Sequence, residues 1–167
     1  MILSDIPAFS HLSPEQIERL TSVCEERALE DGENLICKDI EGGKLYFLLD
    51  GRLEVYVQDR GRDVALNELT APAVLGELEL LTSHKRTASV RAVGAARVLG
   101  LDHDKIEARV QAGEVLVLQA MYGVSKIIAQ RLVSLSEKFV ELETRDQPVG
   151  ARELRNFREK LLSDWSA

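Results

Sequence analysis

Cysteine is scarce in this chain of 167 residues: only Cys24 and Cys37 occur, and no pair of histidines lies near them. That count excludes a disulfide-stapled scaffold, and the spacing excludes a structural zinc site. Both thiols are expected to be reduced core residues, and the chain is expected to be cytoplasmic. Basic residues are also in deficit, with 21 Lys and Arg against 28 Asp and Glu, a net charge of −7. No long basic run offsets this acidity, so a surface that tracks nucleic-acid phosphates is not expected. Long hydrophobic runs are missing too. The longest uncharged apolar-rich stretch, Val115 to Ser125, is too short to cross a bilayer, and no N-terminal segment reads as a targeting signal.

Catalytic signatures are lacking as well. The three histidines, His11, His84 and His103, stand apart from any nucleophile motif, and neither G-x-G-x-x-G nor G-x-x-x-x-G-K-[ST] occurs. Each histidine is expected at the surface or in a cap; no enzyme activity, catalytic residue, metal ligand or cofactor is expected. What is present is an apolar fraction of 45%, enough to bury the core of one domain with an appendage.

The pattern along the chain changes twice. "LSPEQIERLTSVCEER" reads as a short helix, with Ser13 as N-cap, Pro14 at its first position and Gln16 closing a capping box. Residues 27 to about 101 then alternate with period two in the runs "RALEDG", "NLICKD", "KLYFLLDG", "RLEVYVQD", "DVALNEL", "ASVRAV" and "ARVLGLD". Their β-branched and aromatic residues and their Gly or Asp punctuation predict the strands of an antiparallel roll or barrel. Asp50-Gly51 reads as a two-residue hairpin with both residues at positive φ, and "DRGRD" as another turn.

Beyond Asp102, a good N-cap, the period is helical for more than forty residues. Met121, Ser125, Ile128, Leu132, Leu135, Phe139 and Leu142 step by four and three, a coiled-coil seam that predicts pairing with a second copy. The alternative is that the helix packs wholly on its own barrel. "TRDQPVG" ends it, and Leu154, Phe157, Leu161 and Trp165 form an apolar stripe on a final helix. The expected divisions are residues 1–112, 113–145 and 146–167.

One stretch arranges its charges rather than merely carrying them: "GELELLTSHKRTASV", residues 76 to 90. A turn at Gly76 that starts a short helix leaves the amides of residues 78 to 80 without helical partners, an arrangement that attracts an anion. Arg86 follows, and its planar fork can hold two phosphate oxygens. A carboxylate beside an anion site is a conflict unless the ligand brings a hydroxyl for it to accept from. Two readings fit the spacing alone: a sugar-phosphate site, or an ordinary surface Glu–Arg pair.

This stretch resembles the phosphate-binding cassette of the cyclic-nucleotide-binding domain family, in its catabolite-activator-like sensor form. The family pattern runs roughly G-E-[LIA]-[AG]-L-[LF]-x(3)-P-R-[AST]-A-x-V, and the resemblance extends through "DGENLICKD", "GGKLYFLLDGRLEVY" and the following helices, about residues 5 to 144. It implies an α+β fold, an antiparallel eight-stranded β-roll of the double-stranded β-helix or jelly-roll type, with an N-terminal helix and long C-terminal helices. It implies that Gly76 permits the turn, that Glu77 accepts from the ribose 2′-hydroxyl and that Arg86 meets the cyclic phosphate. Amides near Leu78 and Glu79 assist, and Thr87, followed by Ala88, touches the phosphate or a guanine.

"RLVSLSEKFVEL" resembles the helix through which such sensors dimerise, where a Thr-Ser pair reaches adenine; here the pair is Leu135 and Ser136. Two residues depart from the pattern. Glu79 replaces a small residue and brings a negative charge near the phosphate, and Lys85 replaces a proline. The 23 residues after Thr144 are too few for the DNA-binding module of related transcription factors. The resemblance implies a sensor of cAMP, with cGMP as the second ligand, acting through a homodimer over residues 113–145 or an effector protein. The rival is a domain that no longer binds nucleotide and serves as a dimerisation or docking scaffold.

Overall fold

The computed structural model describes residues 3–40, 42–82 and 85–144, and divides into a unit ending at Lys126 and a second beginning at Ile127. The first unit opens with two 3-10 turns, Leu3–Asp5 and Pro7–Phe9, followed by helix α1, Pro14–Thr21. Ser13 caps α1 through the expected capping box: its hydroxyl accepts from the Gln16 amide at 3.2 Å, and the Gln16 side chain accepts from the Ser13 amide at 2.8 Å.

Eight antiparallel strands follow: β1 Glu25–Leu29, β2 Asn34–Ile36, β3 Lys44–Asp50, β4 Arg52–Asp59, β5 Arg62–Thr70, β6 Ala73–Leu75, β7 Ser89–Ala92 and β8 Ala96–Asp102. They form two four-stranded sheets, ordered β1-β8-β3-β6 and β2-β7-β4-β5. Leu29, Leu48, Leu75 and Val98 of the first sheet pack against Leu35, Ile36, Leu53 and Val90 of the second to make the core. On β3, Tyr46 and Leu48 face this core while Leu45, Phe47 and Leu49 are buried on the other side, where Phe47 meets Phe9 edge to face at 5.4 Å. Burial on both faces explains why "LYFLL" is apolar without a break.

The Asp50-Gly51 step is not a hairpin. β3 and β4 lie in different sheets, and only Gly51 has positive φ, +85°. The chain turns a corner there, and a Cβ on Gly51 would run into the Ala95 carbonyl oxygen and lie 2.8 Å from the Ala96 Cα. The tight hairpin is instead at Arg60-Gly61, where both residues have positive φ, 49° and 77°, and Asp59 pairs with Arg62. Strand β6, three residues between Pro72 and Gly76, is too short to show a period and escaped the sequence pattern.

Helix α2, Glu77–Thr82, follows β6 directly. Helix α3, His103–Gln111, begins where Asp102 was expected to cap, but the Asp102 side chain makes no cap bond; it is drawn instead to Lys105 at 2.7 Å and Lys44 at 3.5 Å. Gly113, at φ 70°, separates α3 from the 30-residue helix α4, Val115–Thr144, so the long helical region is broken once. Within the first unit α4 buries Leu116, Val117, Ala120 and Val124. Gly123 allows close approach to the N-terminal segment, for a Cβ there would strike the Ala8 carbonyl.

The expected seam does not coincide with that buried face. Met121 and Ile128 are half-buried, and Ser125 is exposed. In the second unit Leu132 and Leu135 are exposed and Phe139 is half-buried. The stripe from Leu154 to Trp165 and the division at 146–167 lie outside the described residues. Among the described residues no helix is long and apolar enough to cross a membrane.

Gly51 and Gly61 both need a left-handed backbone, but only Gly51 also lacks room for a Cβ. Gly61→Ala should cost about 1 kcal/mol and Gly51→Ala at least ~2 kcal/mol more, measured by urea unfolding.

Candidate ligand-binding site

The site forms where α2, the segment leading into β7, and the β2–β3 connection converge. Glu77 and Arg86, the two buried charged residues among those described, are 5% and 6% exposed. Arg86 donates through Nη2 to the Lys44 carbonyl at 2.6 Å, and its own carbonyl accepts from the Asp39 amide at 2.9 Å. Above it opens a pocket of about 210 Å³ lined by Leu35, Ile36, Cys37, Ile40, Gly42 and Tyr46. An apolar chamber with one guanidinium in its wall suits a ligand that is part anion and part flat or apolar group.

Two glycines make room for the guanidinium. A Cβ on Gly42 would lie 2.6 Å from Arg86 Cζ, and one on Gly76 would lie 2.5 Å from Nη1. Gly76 also has φ +85°, which turns β6 into α2. The turn read from "GELELL" is therefore present, with a second, steric reason for its glycine.

Glu79 does not point away from this site. Its Oε2 lies 2.7 Å from Arg86 Nε, placed for charge contact but off the line of an aligned hydrogen bond, and its Oε1 accepts from the Gly42 amide at 2.8 Å. Gly43 adds a longer approach at 3.4 Å. With side chains 12% and 5% exposed, Glu79 and Arg86 form a nearly dry ion pair. The protein's own carboxylate thus stands where an external anion would meet the Nε edge of Arg86.

His103 was expected at the surface or in a cap, yet it is half-buried at the start of α3 and close enough to feel both charges of the pair. Burial is the main force holding its ring below the ordinary histidine range; Arg86 acts in the same direction, and Glu79, Asp104 and a hydrogen bond to the Lys44 carbonyl oppose. Its Nε2 is buried with no hydrogen-bond partner. No sequence motif signals this residue, because its neighbours arrive from β3, α2 and the segment leading into β7.

The other expected residues divide. Gly76, Glu77, Leu78, Glu79 and Arg86 come together, with Leu78 and Glu79 in the first turn of α2. Thr87 is exposed and Ala88 half-buried beside Arg86. Ser136 belongs to the second unit, where its hydroxyl donates to the Leu132 carbonyl at 2.9 Å along its own helix. Cys37, expected in the core, is exposed: it leaves β2 at the pocket rim. Cys24 is half-buried, and burial pushes its thiol up to about 12. Among the described residues no His, Cys, Asp and Glu group could hold a metal ion.

A family model described as the cyclic nucleotide-binding domain matches residues 26–113. The chain belongs to this family. The human potassium/sodium hyperpolarization-activated cyclic nucleotide-gated channel 3 is 30% identical over 107 residues, covering 64% of this chain and 13% of the channel. The catabolite activator protein of Thermus thermophilus superposes with a TM-score of 0.70 at 22% identity, over 82% of this chain and 63% of that one. The regulatory subunit of a cAMP-independent protein kinase A from Trypanosoma brucei gives 0.62 at 25% identity, over 75% and 45%. A triple variant of that subunit, with Glu→Ala, Thr→Arg and Val→Ala, is bound to cAMP in its A site. This chain spans a quarter or less of the curated relatives it matches first.

The cyclic nucleotide-binding domain is thus present with eight strands, and Glu79 within it has a structural partner. Removing one member of a buried pair strands the other: Arg86→Ala should cost about 3–5 kcal/mol of stability. The Glu79→Ala/Arg86→Ala double variant should lose less than the sum of the singles by about 1–3 kcal/mol, in a urea-unfolding cycle.

The His103 ring gives a pH dependence of known sign. Its folded value is depressed, so below about 6.5 the unfolded chain takes a proton that the folded chain resists, and stability falls with pH. From pH 7.5 to about 5.5 the urea midpoint should fall more steeply for the native protein than for His103→Gln.

Proposed function

We propose that this chain binds a cyclic nucleotide, cAMP in preference to cGMP, and acts as a regulatory module rather than a catalyst. The observation that carries the proposal is Arg86, buried in the wall of an apolar pocket and reached by the same turn that buries Glu77. Arg86 holds the cyclic phosphate, helped by the amides of Leu78 and Glu79, and Glu77 accepts from the ribose 2′-hydroxyl. Gly76 gives the ligand backbone clearance. Thr87 and Ala88 flank the phosphate, and a base contact comes from Ser136 of a second copy. Adenine is preferred because cAMP occupies the related regulatory domain of Toxoplasma gondii PKA; Thr87 keeps guanine as the alternative.

The output passes through a homodimer or an effector protein in the cytoplasm. Exposed Leu132, Leu135 and Val140 on α4 support pairing of this helix with a second copy. Residues 1–112 then act as the nucleotide-binding body, 113–145 as the dimerising lid helix and 146–167 as a tail.

A second reading has its own support. Glu79 pairs with Arg86, and the substitutions that accompany cAMP in the Trypanosoma variant remove a glutamate seven positions before a new arginine, the spacing of Glu79 and Arg86 here. On this reading the domain no longer takes nucleotide and serves as a scaffold. Calorimetry with cAMP and cGMP separates the two. The first reading expects saturable binding by the native protein, weakened about 100-fold or more by Arg86→Ala. The second expects none until Glu79→Ala is introduced; failure of every variant to bind sinks the first.

A further inference from the structure

His103 is the one group of this site that nucleotide recognition leaves idle. Its amide donates to the Gly43 carbonyl at 2.8 Å, and the Gly43 amide in turn approaches Glu79 Oε1 at 3.4 Å, while Arg86 Nη2 donates to the next carbonyl, that of Lys44. It therefore stands behind both members of the ion pair. Its Nε2, buried and unpartnered, is a polar atom whose cost the free protein bears without visible return.

Charge balance at the site changes when a phosphate arrives. In the free protein Arg86 and Glu79 neutralise each other inside a nearly dry wall. A phosphate on Arg86 leaves two negative groups competing for one guanidinium, so the carboxylate must reach solvent, take a proton or find another cation. The charged and titratable groups that act on His103 are Glu79 from α2, Arg86 from the segment before β7 and Asp104 from α3. With Arg86 neutralised by phosphate, the repulsion that disfavours a charged ring is removed, and both carboxylates favour it.

We propose that His103 is the receiving partner for Glu79: a cyclic nucleotide whose phosphate takes Arg86 moves the Glu79 carboxylate onto His103 Nε2, and the ring takes up a proton from water as it does so. This rests on the reading of the pocket as a cyclic-nucleotide site. His103 is a positioning residue in this scheme, since it holds the displaced carboxylate and touches no ligand atom. Nucleotide affinity then depends on pH without any titrating group on the nucleotide near neutrality.

Calorimetry of cAMP binding near pH 7, repeated in buffers of different ionisation enthalpy, reads the protons taken up per ligand. The native protein should take up a fraction approaching one proton, and its affinity should rise by up to tenfold per pH unit as pH falls through the titration range of the ring. Both His103→Gln and Glu79→Gln should abolish the uptake and flatten the profile. Nucleotide binding by the native protein without uptake overturns the proposal, because the carboxylate has then gone to solvent. Uptake that persists in His103→Gln overturns it as well, placing the proton on Glu79. Binding by Glu79→Gln alone overturns it in a third way, since Glu79 is then never displaced. No binding by any of the three proteins removes the nucleotide reading itself.

Discussion

A guanidinium taken out of water must find a counter-charge, and the arrangement around Arg86 follows from that requirement. The fold supplies a carbonyl from Lys44, a carboxylate from Glu79, and two positions without side chains, Gly42 and Gly76, that let the fork lie flat. These come from two separate stretches of the chain, 42–44 and 76–79. The pair consequently ties α2 to the β2–β3 connection, because the second oxygen of Glu79 accepts from the Gly42 amide. An isolated surface pair would contribute little; a dry one commits both partners.

On the proposed reading of Arg86 as the phosphate partner, the phosphate position has a resident competitor. Tethered to α2, Glu79 is present at high effective concentration, and a ligand meets only the fraction of molecules in which Arg86 is free. Apparent affinity is the intrinsic affinity scaled by that fraction. The same domain can therefore be a strong sensor, a weak one or a silent scaffold without any change in its strands. What decides is the free energy of one side-chain contact.

Much of this was legible in the sequence, and the exceptions have physical causes. Short runs of β-branched and aromatic residues between Gly and Asp turns marked seven strands, whereas β6 is too short to carry a period. The Asp50-Gly51 step looked like a hairpin because the residue types at a hairpin and at a corner between sheets are alike; only sheet membership separates them. Asp102 has the residue type of a cap, but two lysines, one from β3, outbid the helix for its carboxylate. The cassette gave Gly76, Glu77 and Arg86 by local spacing. His103 lay beyond reach, since nothing local says that a residue 17 positions after Arg86 will return to it.

Gly123 bears on how such a domain can move. Because the Ala8 carbonyl rests against its Cα, with Phe9 alongside and His11 reaching the Gln119 carbonyl, the early turns of α4 are keyed to the N-terminal segment. A helix keyed in this way cannot roll about its own axis without ejecting residues 8 and 9. It can only be carried with that segment as passenger, so residues 8 to 11 and the early turns of α4 form one packed body within the first unit.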